Sequence, residues 1–277
     1  MTFDRILPAL MWAYVVAVLV FILAPIATSF VISFNSDRFP TLPLGGFSLQ
    51  WYEAIRDDPT LAPAIRNTIL VGLSVSVIAT ILGLTAAYAD YRYRFLGKSL
   101  YLALALLPPT IPVIILGLAM LIFLSRVGLF GQIHSVIISH VVICLPFAMA
   151  LIRLRLSQMD PNLEAAAWNL GAGEWRAIRE IILPFTMPAI LSALFITMAV
   201  SFDEYAVAWF VSGFSETLPV RILASLQGQV SPRINAIGSL VFTVTIVLVI
   251  VAQCLLLLRS PGEAGQAPPP RGRSDGQ

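Results

Sequence analysis

Charge is scarce in this chain. Only 12% of its 277 residues are Asp, Glu, Lys or Arg, about half the share that a soluble domain spends on its wetted surface. With 58% hydrophobic residues and a mean hydropathy of +0.88, the chain has too little polar material for a soluble enzyme or a disordered polypeptide. Its net charge of +2 is too small for a nucleic-acid partner. Cysteine is nearly missing. Cys144 and Cys254 lie far apart inside apolar runs, which suits neither a disulfide framework nor a metal site, and both read as small core hydrophobes. No Gly-x-x-x-x-Gly-Lys-Ser/Thr loop occurs, so the chain does not cradle ATP in that way. Nor is there a His-Glu-x-x-His pattern or a nucleophile and base at helical spacing, as an intramembrane enzyme would need. No catalytic residue, metal site or cofactor is expected.

What is present is long apolar runs, at 6–34, 68–89, 100–124, 133–152, 185–202 and 236–258. Several reach the roughly 20 residues that a bilayer-crossing helix needs. They predict an all-α membrane protein of six transmembrane helices embedded in a lipid bilayer, with both termini on one side. A further apolar piece at 206–214 is too short to cross and fits a re-entrant or an interfacial segment. The first run far exceeds the 7 to 15 residues of a signal-peptide core, so it is read as a span. Eleven of the 17 Lys and Arg residues fall on the N-terminal side of the resulting topology, and short basic loops stay in the cytoplasm. The densest is Tyr91-Arg92-Tyr93-Arg94-Phe95-Leu96-Gly97-Lys98. Both termini are therefore predicted to be cytoplasmic. Residues 1–259 form the expected transmembrane domain, and 260–277, rich in Pro, Gly and Ser, the expected disordered tail.

The loop at about 157–183 is neither a tight turn nor a domain. Asp160-Pro161-Asn162 is a helix start, with Asp160 as side-chain cap and Pro161 where its missing N–H costs nothing. Leu163, Ala166, Ala167 and Leu170 then share one face, and Gly171 ends the helix in a left-handed conformation. A second amphipathic piece begins near Gly173, with Pro184 closing it and opening the fifth span. Periodicity alone fits an interfacial helix as well as a docking element for a cytoplasmic partner.

Glu164-Ala165-Ala166-Ala167-Trp168-Asn169-Leu170-Gly171, followed by Ile182-Leu183-Pro184, resembles the EAA loop of permease subunits of binding-protein-dependent ABC importers. The resemblance implies a type I ABC importer permease fold in which this loop is a coupling helix set in a cleft of an ATPase subunit dimer. It also implies a second permease subunit and a periplasmic substrate-binding protein as partners, in the cell inner membrane. Glu164, Ala165, Ala166, Gly171, Ile182 and Pro184 are the coupling residues carried over. One departure is visible: the family pattern places its glutamate six residues before the glycine, where this chain has Ala165. Glu164 is one position earlier, which rotates its carboxylate by about 100°. Further segments resemble the spermidine/putrescine branch: Ser33-Phe34-Asn35-Ser36-Asp37-Arg38-Phe39, Tyr91 to Phe95, Ser139-His140 with Leu145-Pro146-Phe147, Ser201-Phe202-Asp203-Glu204, and Val230 to Ala236. The implied function is ATP-driven import of a polyamine, with another small organic solute, an ATP-independent channel or a secondary carrier as alternatives.

Asp203 and Glu204 follow an apolar span and precede another apolar piece. A carboxylate near membrane depth costs free energy unless it faces a polar cavity or a partner. They read as substrate-pathway residues for a cation, or as interfacial groups paired with Arg221 or Arg233. Pro108, Pro109 and Pro112 are expected to kink or break the third span, either to line a path or for packing alone. His140 is expected to hydrogen-bond between helices rather than hold a metal, and Tyr88 and Asp90 to anchor the inner interface.

Overall fold

The computed structural model describes residues 3–37, 39, 43–160, 162–226 and 232–257. Arg38, Pro161, Val230, Ser231, Arg259 and the 260–277 tail lie outside the described residues. The elements in order are α1 (Phe3–Ile32), α2 (Gln50–Arg56), α3 (Leu61–Arg92), α4 (Lys98–Ala105), α5 (Val113–Arg126), α6 (Ile133–Leu156), α7 (Asn162–Asn169), α8 (Glu174–Ala177), α9 (Leu183–Asp203), α10 (Ala206–Val211), α11 (Leu218–Leu226) and α12 (Pro232–Leu257). Among the described residues no sheet forms, and Asn35 and Phe47 make one isolated antiparallel bridge. Five stretches are long and apolar enough to cross a bilayer: Leu7–Ile32, Leu61–Arg92, Ile133–Leu156, Glu174–Asp203 and Arg233–Leu255. Helices are the natural outcome, because hydrocarbon offers no partner for a free backbone N–H or C=O.

The third expected span is broken. Pro108, Pro109 and Pro112 supply no N–H, and the helix gives way to a 3-10 turn over Pro108–Thr110 that separates α4 from α5. The expected boundary at Pro184 requires correction. Glu174–Asp203 runs on as one helical stretch, and a π turn at Ile178–Ile182 precedes the proline. Pro184 cannot bond the carbonyl four residues back and its ring crowds that carbonyl. A wider π turn absorbs both defects without ending the helix.

The centre of the bundle is α3, α6 and α9, which meet through small residues: Ala79, Gly83 and Ala87 on α3, Ala148 on α6, Ala189 and Ala193 on α9, all in the interior. Without a hydrophobic force between helices in lipid, such close approach supplies the van der Waals contact that holds them. α12 lies on α9, with the Ser192 hydroxyl donating to the Ala252 carbonyl at 2.7 Å, and α1 lies outside against α12, where Ser29 donates to Asn235 Oδ1 at 3.0 Å. Cys144 is in the core as expected, whereas Cys254 is exposed on α12.

The two ends are closed by polar side chains. At the end where α1 stops and α3 starts, buried Asn35 accepts from the Asp37 and Gly45 amides at 3.2 and 3.1 Å. Its carbonyl takes the Trp51 indole N–H at 2.6 Å. Asp58, in the turn before α3, receives Thr60 at 2.7 Å and pairs with Arg233 at the start of α12. At the opposite, basic end, α3 is long enough to leave the hydrocarbon: 32 residues span roughly 48 Å against a core of about 30 Å. There buried Asp90 meets Arg153 Nε at 2.6 Å and Lys98 Nζ at 3.2 Å, joining α3 to α6 and α4.

Two predictions follow from this packing. A Cβ on Gly83 would come within 2.7 Å of the Ala148 Cβ and 2.8 Å of the Met149 amide nitrogen. Gly83→Val should therefore cost about 1–3 kcal/mol by overpacking. Gly173→Ala, which meets nothing within 4 Å, should leave the melting temperature in detergent unchanged. The second concerns acid. Hydrogen bonds from Thr60, helped by Arg233 and opposed by burial, hold Asp58 down from 3.8 to about 2. Its stabilisation is present above the ordinary carboxylate range and is lost as pH falls toward 2. Asp58→Asn should lower Tm at neutral pH and converge with the unsubstituted protein near pH 2, as scanning calorimetry would read.

Candidate functional site

The loop between α6 and α9 is built as its sequence suggests. Asp160 Oδ1 accepts the Asn162 N–H at 2.9 Å and so caps α7. Gly171 takes φ +83°, with its N–H on the Trp168 carbonyl at 2.9 Å and the Ala172 N–H on the Ala167 carbonyl at 2.9 Å. This pair is a Schellman turn. Among the described residues a Cβ at Gly171 would meet no atom within 4 Å, so backbone conformation, not space, calls for glycine there. Gly173 is extended, and α8 starts after it.

α7 presents its faces differently from the apolar stripe. Glu164 and Ala167 are the buried pair, while Leu163, Ala165, Ala166 and Trp168 are exposed and Leu170 is 88% exposed. Ile182 is buried in the core beneath, and Pro184 is exposed. Glu164 points to the end of α3, where its Oε2 lies 3.7 Å from Arg92 Nε. Arg92 also reaches Glu174 at 3.9 Å and covers the Trp168 ring at 4.8 Å. The six residues expected to couple thus split into an outward set of Ala165, Ala166, Gly171 and Pro184 and an inward set of Glu164 and Ile182. In the sequence Arg92 is legible as a topology-setting charge and as part of the Tyr91 to Phe95 resemblance, but nothing local announces a partner some seventy residues on.

The Ser201-Phe202-Asp203-Glu204 segment ends α9, and each side chain has its own surroundings. Ser201 hydrogen-bonds His140 Nδ1 at 2.9 Å, the inter-helix role expected of that histidine. Phe202 fills the space over Gly72, where a Cβ would come within 2.0 Å of its ring. Glu204 Oε1 accepts the Val207 N–H at 2.9 Å and so caps α10, the short helix of the 206–214 piece, which is buried against α5 and α6. Asp203 is exposed toward a cavity of about 390 Å³ whose wall includes Tyr205, Ile222, Leu223, Phe242 and Thr245. Arg221 pairs with Glu216 at 3.2 Å and Arg233 with Asp58, and among the described residues no cation pairs with Asp203 or Glu204. Ser139, adjacent to His140, turns away and donates to the Ser135 carbonyl at 2.8 Å. Among the described residues no three His, Cys, Asp or Glu side chains cluster as metal ligands.

Long apolar helices with polar side chains at their two ends mark a polytopic membrane protein, and a cavity beside the end of α9, α11 and α12 has a carboxylate in its wall. The chain belongs to the family of binding-protein-dependent transport system inner membrane components, whose model matches residues 79–261. It is therefore a transport component and not an enzyme. It is 33% identical over 244 residues to the spermidine/putrescine transport system permease protein PotC of Haemophilus influenzae, covering 88% of this chain and 95% of that one. It is 31% identical over 253 residues to PotC of Escherichia coli K12, covering 91% and 96%. The putrescine transport system permease protein PotI of E. coli K12 is 32% identical over 241 residues, covering 83% and 85%. Among solved structures, a bacterial ABC transporter that imports the acidic polysaccharide alginate superposes with a TM-score of 0.72 at 17% identity, covering 93% of this chain and 96% of that one. An amino acid ABC transporter superposes at 0.57. The fold is that of type I ABC importer permeases.

The two carboxylates should separate in a stability assay. Glu204→Ala removes the cap of α10 and should cost about 1 kcal/mol, read as faster hydrogen exchange across 206–211. Glu204→Gln keeps an acceptor oxygen and should exchange more slowly than the alanine variant.

Proposed function

We propose that this chain is the permease subunit of an ATP-driven importer that carries a small organic cation, a polyamine of the putrescine or spermidine kind, into the cytoplasm. The observation that carries the reading is Asp203, a carboxylate open to a mostly apolar cavity with no cation beside it among the described residues. A carboxylate at membrane depth is costly unless it faces a polar path or something of opposite sign, and a polyamine ammonium supplies that sign over an apolar wall that suits its methylenes. The PotC and PotI relatives are named for the same solutes. The alginate importer shares the fold, and a relative at 29% identity is named as a probable sulfate transport system permease protein, so anionic cargo is the competing reading. A carboxylate in the wall disfavours it.

In this reading the cytoplasmic side is the basic end. Lys98 to Arg126, broken at its prolines, is the third of six crossings, and both termini are cytoplasmic, in line with the basic loops. α7 is the coupling helix, and its exposed Leu163, Ala166 and Leu170 dock in a separate ATPase dimer. A second permease subunit covers the open side of the bundle, and a periplasmic binding protein delivers the solute to the opposite end.

Uptake of labelled putrescine into proteoliposomes holding the assembled transporter tests this. A charge-assisted contact is worth on the order of 1–3 kcal/mol, and 1.4 kcal/mol is about tenfold. Asp203→Asn should thus lower uptake several-fold or more, and Glu204→Gln much less, because Glu204 is engaged by α10. Normal putrescine uptake in both single variants and the double variant, at matched expression, would overturn the pathway role.

A further inference from the structure

We infer that Arg92 is a positioning residue that ties the loop helix α7 to the end of α3, so that movement of the loop is passed to α3 through this side chain. The inference rests on α7 being the coupling helix. The loop is joined to the bundle covalently at both ends, back to α6 through 157–160 and on through α8 into α9, and the second path contains the π turn at Ile178–Ile182, a departure from the regular helical ladder. Its charged link to α3 is Arg92. Its guanidinium lies between Glu164 at 3.7 Å, Glu174 at 3.9 Å and the Trp168 ring at 4.8 Å, so it holds α7 by two side chains and the start of α8 by a third. Glu164 is buried, and among the described residues its Oε1 has no hydrogen-bond partner and Arg92 is the cation paired with its Oε2, so Arg92 is its counter-charge. Two residues earlier on α3, and about 200° round the helix, Asp90 faces the opposite way and holds Arg153 of α6 and Lys98 of α4. The last turn of α3 therefore grips the loop on one side and the bundle on the other. The one-residue displacement of Glu164 from the family position turns this carboxylate inward. The outward face of α7 is left apolar.

The test uses the full transporter, with its ATPase, second permease and binding protein, and reads the factor by which added binding protein stimulates ATP hydrolysis. That signal crosses the permease whatever the solute. Arg92→Ala and the isosteric Glu164→Gln should each lower this factor roughly threefold to tenfold. The double variant should be no worse than the stronger single, since both remove the same link. Arg92→Lys keeps the charge without the flat group over Trp168 and should fall between. Should Arg92→Ala fail to assemble, Glu164→Gln and Arg92→Lys carry the comparison. A Leu170→Cys crosslink to the ATPase, present in every variant, locates the defect in transmission rather than docking. Wild-type stimulation in both Arg92→Lys and Glu164→Gln would overturn the inference, whereas absence of the crosslink in the otherwise unsubstituted transporter would overturn the docking reading beneath it.

Discussion

The approach of α3 to α6 across Gly83 and Ala148 sets the rest of the bundle. A side chain at position 83 would collide with backbone as well as with the alanine methyl, so the two helices are closer there than any larger pair of residues would permit. That closeness lets α9 lay Ala189 and Ala193 into the same seam and brings α6 near enough for Arg153 to reach Asp90. In lipid, where burying apolar surface yields little between helices, such contact and a few polar bonds are the available cohesion. The polar bonds observed follow the seam: Ser201 with His140 in the interior, Ser192 with α12 on one side.

Departures from regular helix occur where proline removes a donor, and each is resolved locally. In 98–126 three prolines within five positions leave too many gaps for one helix, and a 3-10 turn divides it. At Pro184 a single gap is absorbed by a π turn and the helix continues. Pro146 is carried inside α6 without a break. The number of missing donors, not the presence of proline, decides between break and bulge.

Carboxylates sort by what faces them. Asp58, Asp90 and Glu164 each meet a cation and tie elements together. Glu204 is spent on a helix cap. Asp203 alone among these five opens on a cavity with no cation beside it among the described residues, and adjacent residues with such different surroundings follow from the helix ending between them: Asp203 still belongs to α9, whereas Glu204 is extended.

By itself the sequence determined the membrane class, the existence and approximate place of five long helices, two of which start well before their apolar runs, at Leu61 and Glu174, and the break at Pro108 to Pro112. It also determined the cap at Asp160 and the left-handed Gly171, because hydropathy, missing donors and glycine's freedom act over a few neighbouring residues. The resemblance in the loop likewise rested on contiguous residues. Only the tertiary structure decided that the helix runs through Pro184, that α7 turns Leu163 and Leu170 outward and Glu164 inward, and that Asp203 rather than Glu204 faces the cavity. Those outcomes depend on partners far along the chain. Arg92 is some seventy residues from Glu164, and no local pattern records which of several arginines a carboxylate will meet once helices of fixed length are packed side by side.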